Sequence, residues 1–476
     1  MTTVASDIEQ AAPSSHRSPD ERVERGRAAR SETPRSSHGD WSPATNRPDP
    51  IELLEQQAAT RVPELLPIRY GRMAASAFAF YRGGAYIMGS DLANSPVSGM
   101  RVQLCGDAHL SNFGGFASPE RDLIFDLNDF DETLPGPWEW DVKRLAASMA
   151  VAGRDHGFTP KQRRSIVQST VRLYREAMHR LAGMGELAIW YERVDAGVLR
   201  DQLGPQATAR QAKRFEKTVA KGMRKDSTRA FTKLAATIDG KPRIIADPPL
   251  LVPVRDLLPE AEEQQFREGM QSLFETYRAT LPEHLCHLID RYEFVDLARK
   301  VVGVGSVGTR AWVMLLIGRD TGDPLFLQAK EARPSVLEPF AGKSEFGNQG
   351  KRVVQGQRAM QAASDVFLGW LRTTGVDGKR RDFYIRQLWD WKTSADVESM
   401  LPTGMEVYGQ LCGWTLARAH ARSGDAIAIA AYLGNGDAFD RALVEFSEKY
   451  ADVNEQDHQA LIQAIEDGRI EAVAGV

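Results

Sequence analysis

Two short apolar runs, each emptying straight into a loop of acids, constrain this chain more than any other feature. The first, Arg101-Val102-Gln103-Leu104-Cys105, leads into Gly106-Asp107-Ala108-His109-Leu110-Ser111-Asn112-Phe113. The second, Leu123-Ile124-Phe125, leads into Asp126, Asn128, Asp129, Asp131 and Glu132. Apolar runs of this length, bounded by turn residues, read as strands. The acids of the second loop alternate with Leu127 and Phe130, so a plain solvated face does not explain them. Their mutual repulsion costs stability unless a cation screens it. The pattern predicts strand ends that gather carboxylates around a bound cation.

A chain of 476 residues is long enough for two or three domains and a large core. Its 42% hydrophobic and 26% charged residues are those of a soluble globular protein. A net charge of −4 argues against general nucleic-acid binding. Three widely spaced cysteines, Cys105, Cys286 and Cys412, suggest a reducing compartment without a disulfide framework. No apolar run reaches membrane-spanning length, and the N-terminus lacks a signal-peptide pattern. A cytoplasmic protein with no membrane partner is expected.

Residues 1–50 are rich in Ser, Pro, Arg, Glu and Asp and lack apolar periodicity, so a disordered tail is expected there. Its arginines alternate with acids, which weakens the case for a nucleic-acid arm. Met73 to Leu92 reads as helix, as do Trp138 to Arg154, with Asp141 in its first turn, and Pro160 to Leu199. A basic amphipathic segment, Arg210 to Lys233, and a helix over Glu260 to Tyr277 follow. Near residue 292 the texture changes to strands, at Trp312 to Ile317 and Leu325 to Ala329, joined by the hairpin-type turn Asp320-Thr321-Gly322-Asp323. A helix over Gly350 to Arg372, a strand over Asp382 to Leu388 and a helical C-terminal quarter complete the reading.

The second chemical constellation is Gly303-x-Gly305-Ser306-x-Gly308. Dinucleotide sites and kinases both use this glycine spacing. A dinucleotide loop runs into a helix, whereas here a strand-like segment, Trp312 to Ile317, follows. A strand–glycine loop–strand hairpin suits backbone amides that cover phosphates. Lys330 ends the next apolar strand, where a kinase keeps the lysine that pairs its α- and β-phosphates. In the first acid loop, Asp107 and Asn112 stand at the D-x-x-x-x-N spacing of a catalytic base and a metal-binding amide. Asp129 is the better candidate for the second metal ligand, with Asp126 in reserve. His109 reads as a loop histidine that shapes the backbone. Asp141 reads as an acceptor of hydrogen bonds from that loop.

Taken together, these motifs resemble the aminoglycoside-phosphotransferase and choline-kinase branch of the protein-kinase-like fold. Gly106 to Phe113 resembles its G-D-x-H-x-x-N-h loop, and Asn128-Asp129-Phe130-Asp131 its metal motif. From about residue 50 onward the chain also resembles the bacterial domain of unknown function 2252 family, through Leu104 to Asn112, Phe125 to Leu145 and Tyr408 to Asp425. In kinases the glycine loop and lysine precede the catalytic loop; here they follow it by 196 residues (303 − 107). Leu416-Ala417-Arg418-Ala419-His420-Ala421 resembles a helix that in small-molecule kinases lies just before that loop. The resemblance therefore implies an α+β, two-lobe, circularly permuted fold with a large helical insertion. Permutation is tolerated where the original termini meet at a surface.

The expected organisation is a tail at 1–50, a C-lobe part with the catalytic and metal loops at 51–155, and a helical insertion at 156–291. An N-lobe-like part with the glycine loop and lysine follows at 292–392, and C-terminal helices at 393–476 complete the C-lobe. The expected function is ATP- and Mg²⁺-dependent phosphoryl transfer to an unknown small-molecule or protein hydroxyl. Asp107 would be the catalytic residue that orients or deprotonates the acceptor hydroxyl, with Asn112 and Asp129 as metal ligands. Gly303, Gly305, Ser306, Gly308 and Lys330 would bind the nucleotide. No glutamate sits inside Gly350 to Arg372 to pair with Lys330; Glu331, Glu338, Glu345 and Gln357 are the candidates. This gap favours an alternative, a nucleotide-binding regulator without catalysis. AMP transfer by a like fold and a dinucleotide-dependent enzyme are further alternatives.

Overall fold

The computed structural model describes residues 17–195, 220, 222–224, 226–238, 240–259, 269–270, 272–301, 303–375 and 378–475. Parts of the expected segments Pro160 to Leu199, Arg210 to Lys233 and Glu260 to Tyr277 lie outside these residues.

Four strands build the acid loops: β1 (Arg101–Leu104), β2 (Phe113–Ala117), β3 (Leu123–Leu127) and β4 (Leu134–Pro137). β1 pairs with β4, and β2 with β3, both antiparallel. β5 (Val194–Asp195) flanks β3. The hairpin β6 (Ala235–Ile238) and β7 (Lys241–Ile244) follows, then β8 (Leu251–Pro253), β9 (Glu293–Lys300), β10 (Ala311–Ile317) and β11 (Pro324–Ala332). Last come β12 (Gly369–Thr374), β13 (Arg380–Gln387) and β14 (Thr393–Ser394). Strands β12-β13-β11-β10-β9-β8 form one six-stranded sheet, and β14-β2-β3-β5 a smaller one. The chain is a mixed α+β protein with several antiparallel sheets.

Helices Trp138–Asp155, Pro160–Ala182 and Pro402–Ala421 pack around β1 to β3 and share one core. Trp138 lies flat on Tyr174, ring centroids 5.7 Å apart. The six-stranded sheet is covered on both faces. Leu297, Met314, Leu325 and Leu327 pack against Tyr277, Leu281, Cys286 and Ile289. On the opposite face Ala298, Val313, Leu315 and Phe326 pack under Ala230 and Leu234 of the Ser227–Leu234 helix. Among the described residues no helix is long and apolar enough to cross a membrane. The three cysteines are buried and unbridged.

Four expectations need correction. The described part of the tail is ordered: Ser18 caps a helix over Pro19–Glu32 in a capping box with Glu21. That helix docks through small residues instead of an apolar stripe. A Cβ at Gly26 would stand 2.2 Å from the Ala428 carbonyl oxygen, and Arg22 pairs with Asp425 at 2.8 Å. Close backbone approach and ion pairing leave no hydrophobic period to read. Met73 to Leu92 is not one helix but lies across three, Leu66–Ala74, Ala77–Gly83 and Ala85–Leu92, with Ser76 capping the second and Gly84 separating it from the third. The helix expected to reach Arg372 spans Gln349–Met360 and gives way to β12. The 156–291 segment, expected to be helical, also carries β5 to β8, and β8 extends the large sheet.

Candidate functional site

Between β1 and β2 the first acid loop is held from behind. Asp141, in the first turn of Trp138–Asp155, accepts the amides of Cys105 and Gly106 at 2.6 and 3.0 Å. Gly106 has φ +85°, and a Cβ there would stand 2.2 Å from the Glu132 carbonyl oxygen, so the turn requires glycine. Asn112 donates from Nδ2 to the Asp107 carbonyl at 2.6 Å, which closes the loop. Its Oδ1 is then the atom left to accept or ligate.

The Asp107 side chain is 19% exposed. Arg144 grips its Oδ1 with Nε at 2.9 Å and Nη2 at 2.7 Å. Burial pushes the Asp107 carboxyl up, and the Arg144 guanidinium offsets only part of that rise. His109 Nδ1 accepts the Ser111 amide at 3.2 Å, and its Nε2 stands 3.8 Å from Asp107 Oδ2. Burial, with Arg82 and Arg144 nearby, keeps His109 neutral. It shapes the loop, as its local bonding requires.

The second loop separates its acids by environment. Asp126 is 1% exposed and accepts from Arg418, from the Ala362 amide at 3.0 Å and from the Leu127 amide at 2.9 Å. It is consumed by the fold. Asp129 keeps a 32% exposed side chain at the cleft. Burial and then its neighbour Asp131 push its carboxyl up. Asp131 receives Lys330 Nζ at 2.7 Å, Tyr384 OH at 2.7 Å and Ser306 Oγ at 3.2 Å. Burial opposes its ionisation, but Lys330 leads a set of partners that holds Asp131 down at about 2. Glu132, also on the cleft wall, accepts the Val336 amide at 2.7 Å and is pushed up to about 7 by burial.

Lys330 therefore has an acid, though none of those considered from sequence. Glu331 instead contacts Arg310 at 3.3 Å and Arg333 at 3.1 Å, and Gln357 donates to Gln361 at 2.9 Å. The helix that would carry the acid presents Arg352, which is 1% exposed and donates to the carbonyls of Thr133 at 2.6 Å and Asp131 at 2.8 Å. No local signal could single out Asp131, because its pairing with Lys330 spans 199 residues.

The glycine loop joins antiparallel β9 and β10. A strand starts at Ala311, three residues after Gly308, which removes the dinucleotide reading and its following helix. Gly303 and Gly308 have φ of +68° and +87°. The loop's carbonyls are drawn outward by the N-terminal helical region. Val62 N donates to the Gly308 oxygen at 2.8 Å, Arg61 donates to the Val307 oxygen, and Arg72 to the Gly303 oxygen. A cleft of about 1130 Å³ is lined by Asp107, Asn112, Asp129, Gly303, Gly305 and Ser306. Lys330 lies under it at 2% exposure, and Gly308 is backed by the Arg61 stem, which a Cβ would approach to 3.1 Å. Sequence reasoning missed Arg61, Arg82, Arg144 and Arg352, single basic residues whose roles depend on distant partners.

Along the sheet beyond Lys330 the same face is closed. Gln328 is 3% exposed beside Arg386, 3.4 Å away, and Arg386 donates to the Asn128 carbonyl at 3.1 Å. Among the described residues no group of three or more His, Cys, Asp or Glu is arranged to hold a metal ion. The donors on the cleft wall, a part-exposed Asp129 carboxylate and the Asn112 amide oxygen, suit an ion that takes one or two protein oxygens and completes its shell with water and phosphate, as Mg²⁺ does.

No curated protein and no solved structure matches the chain. A model of a family described as uncharacterized protein conserved in bacteria matches residues 61–464, from Arg61 beside the glycine loop to the last long helix. The chain belongs to this bacterial family, the domain of unknown function 2252.

Proposed function

We propose that this protein is a phosphotransferase that uses ATP and Mg²⁺ on a protein-kinase-like, circularly permuted scaffold. The observation that carries the reading is the convergence on Asp131 of Lys330 from the sheet and Ser306 from the glycine loop. Three segments distant in sequence meet where phosphates, a cation and an acceptor hydroxyl would have to meet. The order β9–glycine loop–β10–β11–helix–β12–β13, set above loops that carry Asp107 and Asp129, supports the two-lobe reading.

Asp107 would orient the acceptor hydroxyl and take its proton at Oδ2, the oxygen not gripped by Arg144. Arg144 fixes the carboxylate and favours its ionised form. Asn112 and Asp129 would hold the metal ion, which when bound neutralises charge on the transferring phosphates. Lys330, fixed by Asp131, would neutralise the donor phosphates, and with the carbonyls of Gly303, Val307 and Gly308 held by the N-terminal region, other amides of that loop would cover them.

ATP consumption by the purified protein, with and without Mg²⁺ and acceptor candidates, tests the reading. Asp107→Ala should abolish turnover while sparing ATP binding, and Asp129→Ala and Lys330→Ala should weaken Mg²⁺-dependent binding. No ATP binding under any condition refutes it. One feature favours a second reading, a nucleotide-responsive regulator without catalysis: Lys330, Asp131, Ser306 and Tyr384 already satisfy one another. Binding without turnover across acceptor classes would select it. Label retained from the α-phosphate in place of the γ-phosphate would select AMP transfer.

A further inference from the structure

The cleft holds more positive charge than its acids answer. Its lining includes eight Arg and Lys residues against six Asp and Glu. Most of those acids are engaged: Asp107 by Arg144, Asp131 by Lys330, and Asp382 by Arg372. Among the described residues, Arg61 and Arg82 hydrogen-bond no carboxylate. Arg61 is 8% exposed, and its side chain donates to the Val307 carbonyl. Arg333 is held by Thr60 Oγ1 at 2.7 Å and by Glu331 Oε2 at 3.1 Å, an acid it shares with Arg310. The Nε atoms of Arg61, Arg82 and Arg333 are all buried without a hydrogen-bond partner among the described residues.

Burying cations without partners is unfavourable, and like charges make it worse. Burial, followed by Arg69 and Arg333, makes the Arg61 guanidinium easier to deprotonate than usual, which expresses the same frustration. All three arginines line the cleft that contains Asp107, and the charge of Arg82 acts on both Asp107 and His109. Arg61 and Arg82 come from the N-terminal helical region and Arg333 from the segment after β11. Arg61 also touches the glycine loop through the Val307 carbonyl, while Arg82 and Arg333 share the cleft wall with Asp107.

We infer that Arg61, Arg82 and Arg333 form an anion subsite for the acceptor, which is therefore a hydroxyl compound carrying a phosphate or carboxylate group. This rests on the phosphotransferase reading for the word acceptor, but the subsite itself rests only on the three arginines. A guanidinium offers paired N–H donors that match either oxyanion. With the anion anchored there, the hydroxyl end of the same molecule reaches toward Asp107. The shared chemistry could also come from the donor's phosphates, and the two sources separate experimentally.

Inorganic phosphate is titrated into the full chain at constant ionic strength, with heat of binding and thermal midpoint as readouts, for wild type, Arg82→Gln and Arg333→Gln. The expected result is saturable binding that raises the wild-type midpoint. Each variant should bind phosphate about tenfold or more weakly, as loss of a charge-assisted contact implies. The unliganded midpoint of Arg82→Gln should be equal to or above that of wild type, which rules out misfolding as the cause. Protein loaded with Mg²⁺ and ATP should bind phosphate with unchanged affinity. Competition between the two would give the arginines to the donor and overturn the assignment. So would unchanged affinity in both variants, or no phosphate binding by wild type. If ATP fails to bind while phosphate binding still depends on the arginines, the phosphotransferase reading falls and the anion subsite stands.

Discussion

Asp126 and Asp129, three residues apart, should respond very differently to the same substitution. Asp126→Asn leaves Arg418 without its carboxylate at 1% exposure, where its Nη1 already lacks a partner. Removing one member of a buried ion pair costs about 3–5 kcal/mol, because the other charge stays buried. The asparagine oxygen can keep one of the amides of Leu127 and Ala362 but cannot serve both, so the upper half of that range is expected. Asp129→Asn instead removes a carboxylate that burial and Asp131 both oppose and that Lys330 meets only at 3.6 Å, while Lys330 keeps Asp131 at 2.7 Å. It should be neutral, or stabilising by up to about 1 kcal/mol, the scale of a part-exposed charge interaction. Urea unfolding followed by tryptophan fluorescence reads both, provided the variants share one m-value. A loss below about 1 kcal/mol for Asp126→Asn, or equal losses for the two, would refute the division between a fold acid and a site acid. A double variant, Asp126→Leu with Arg418→Met, should recover most of the loss, since neither side is then left charged and alone.

Lys330→Met should destabilise by about 3 kcal/mol or more, because Asp131 keeps only Tyr384 and Ser306 as partners; a double-mutant cycle with Asp131→Leu should show strong coupling in urea midpoints. Stability should fall as pH rises between about 4.5 and about 7 through Glu132, whose carboxyl burial lifts from 4.5 to about 7. Within that window the folded state holds a proton the unfolded state has lost. The ceiling is about 3 kcal/mol, and Glu132→Gln should flatten the thermal-midpoint profile over the window by its share. Asp365, pushed up to about 6 by burial, acts in the same direction, so some slope should survive. Gly106→Ala should cost about 2 kcal/mol or more, from the φ of +85° and the approach to Glu132, with thermal midpoint and phosphate binding measured together.

Where local chemistry decides an element, the sequence reading and the structure agree. Strand β3 and the Trp138–Asp155 helix stand where their patterns put them, and Asp320 to Asp323 turns the β10–β11 hairpin. The reading fails where structure is held by contacts without a period. The helix at Pro19–Glu32 buries Gly26 and Ala29 against a backbone, and so looks like a polar tail. Gln349–Met360 stops because the following residues, up to Asp365 and Phe367, feed β12, although apolar residues continue. At the site, residue types were legible and partnerships were not. Asp126 and Asp129 look alike in sequence, and only the arrival of Arg418 from 292 residues away makes one of them structural.

The pairing of Lys330 with Asp131 also carries a clock. A ribosome adds about 5–20 residues per second, so the 199 residues between the two partners take about 10–40 s to make. Arg418 follows Asp126 by 292 residues, so the acid that seals the end of β3 waits longer still. Throughout that interval the nascent acid loop is expected to stay hydrated, because docking β3 would bury Asp126 without its cation. The carboxylate thus works as a temporal lock that withholds one core from premature collapse until the helix that completes it has been synthesised. A chain ending at Met400 should show β2 and β3 open to proteolysis, and the full chain should show them protected; equal protection in both would remove the lock.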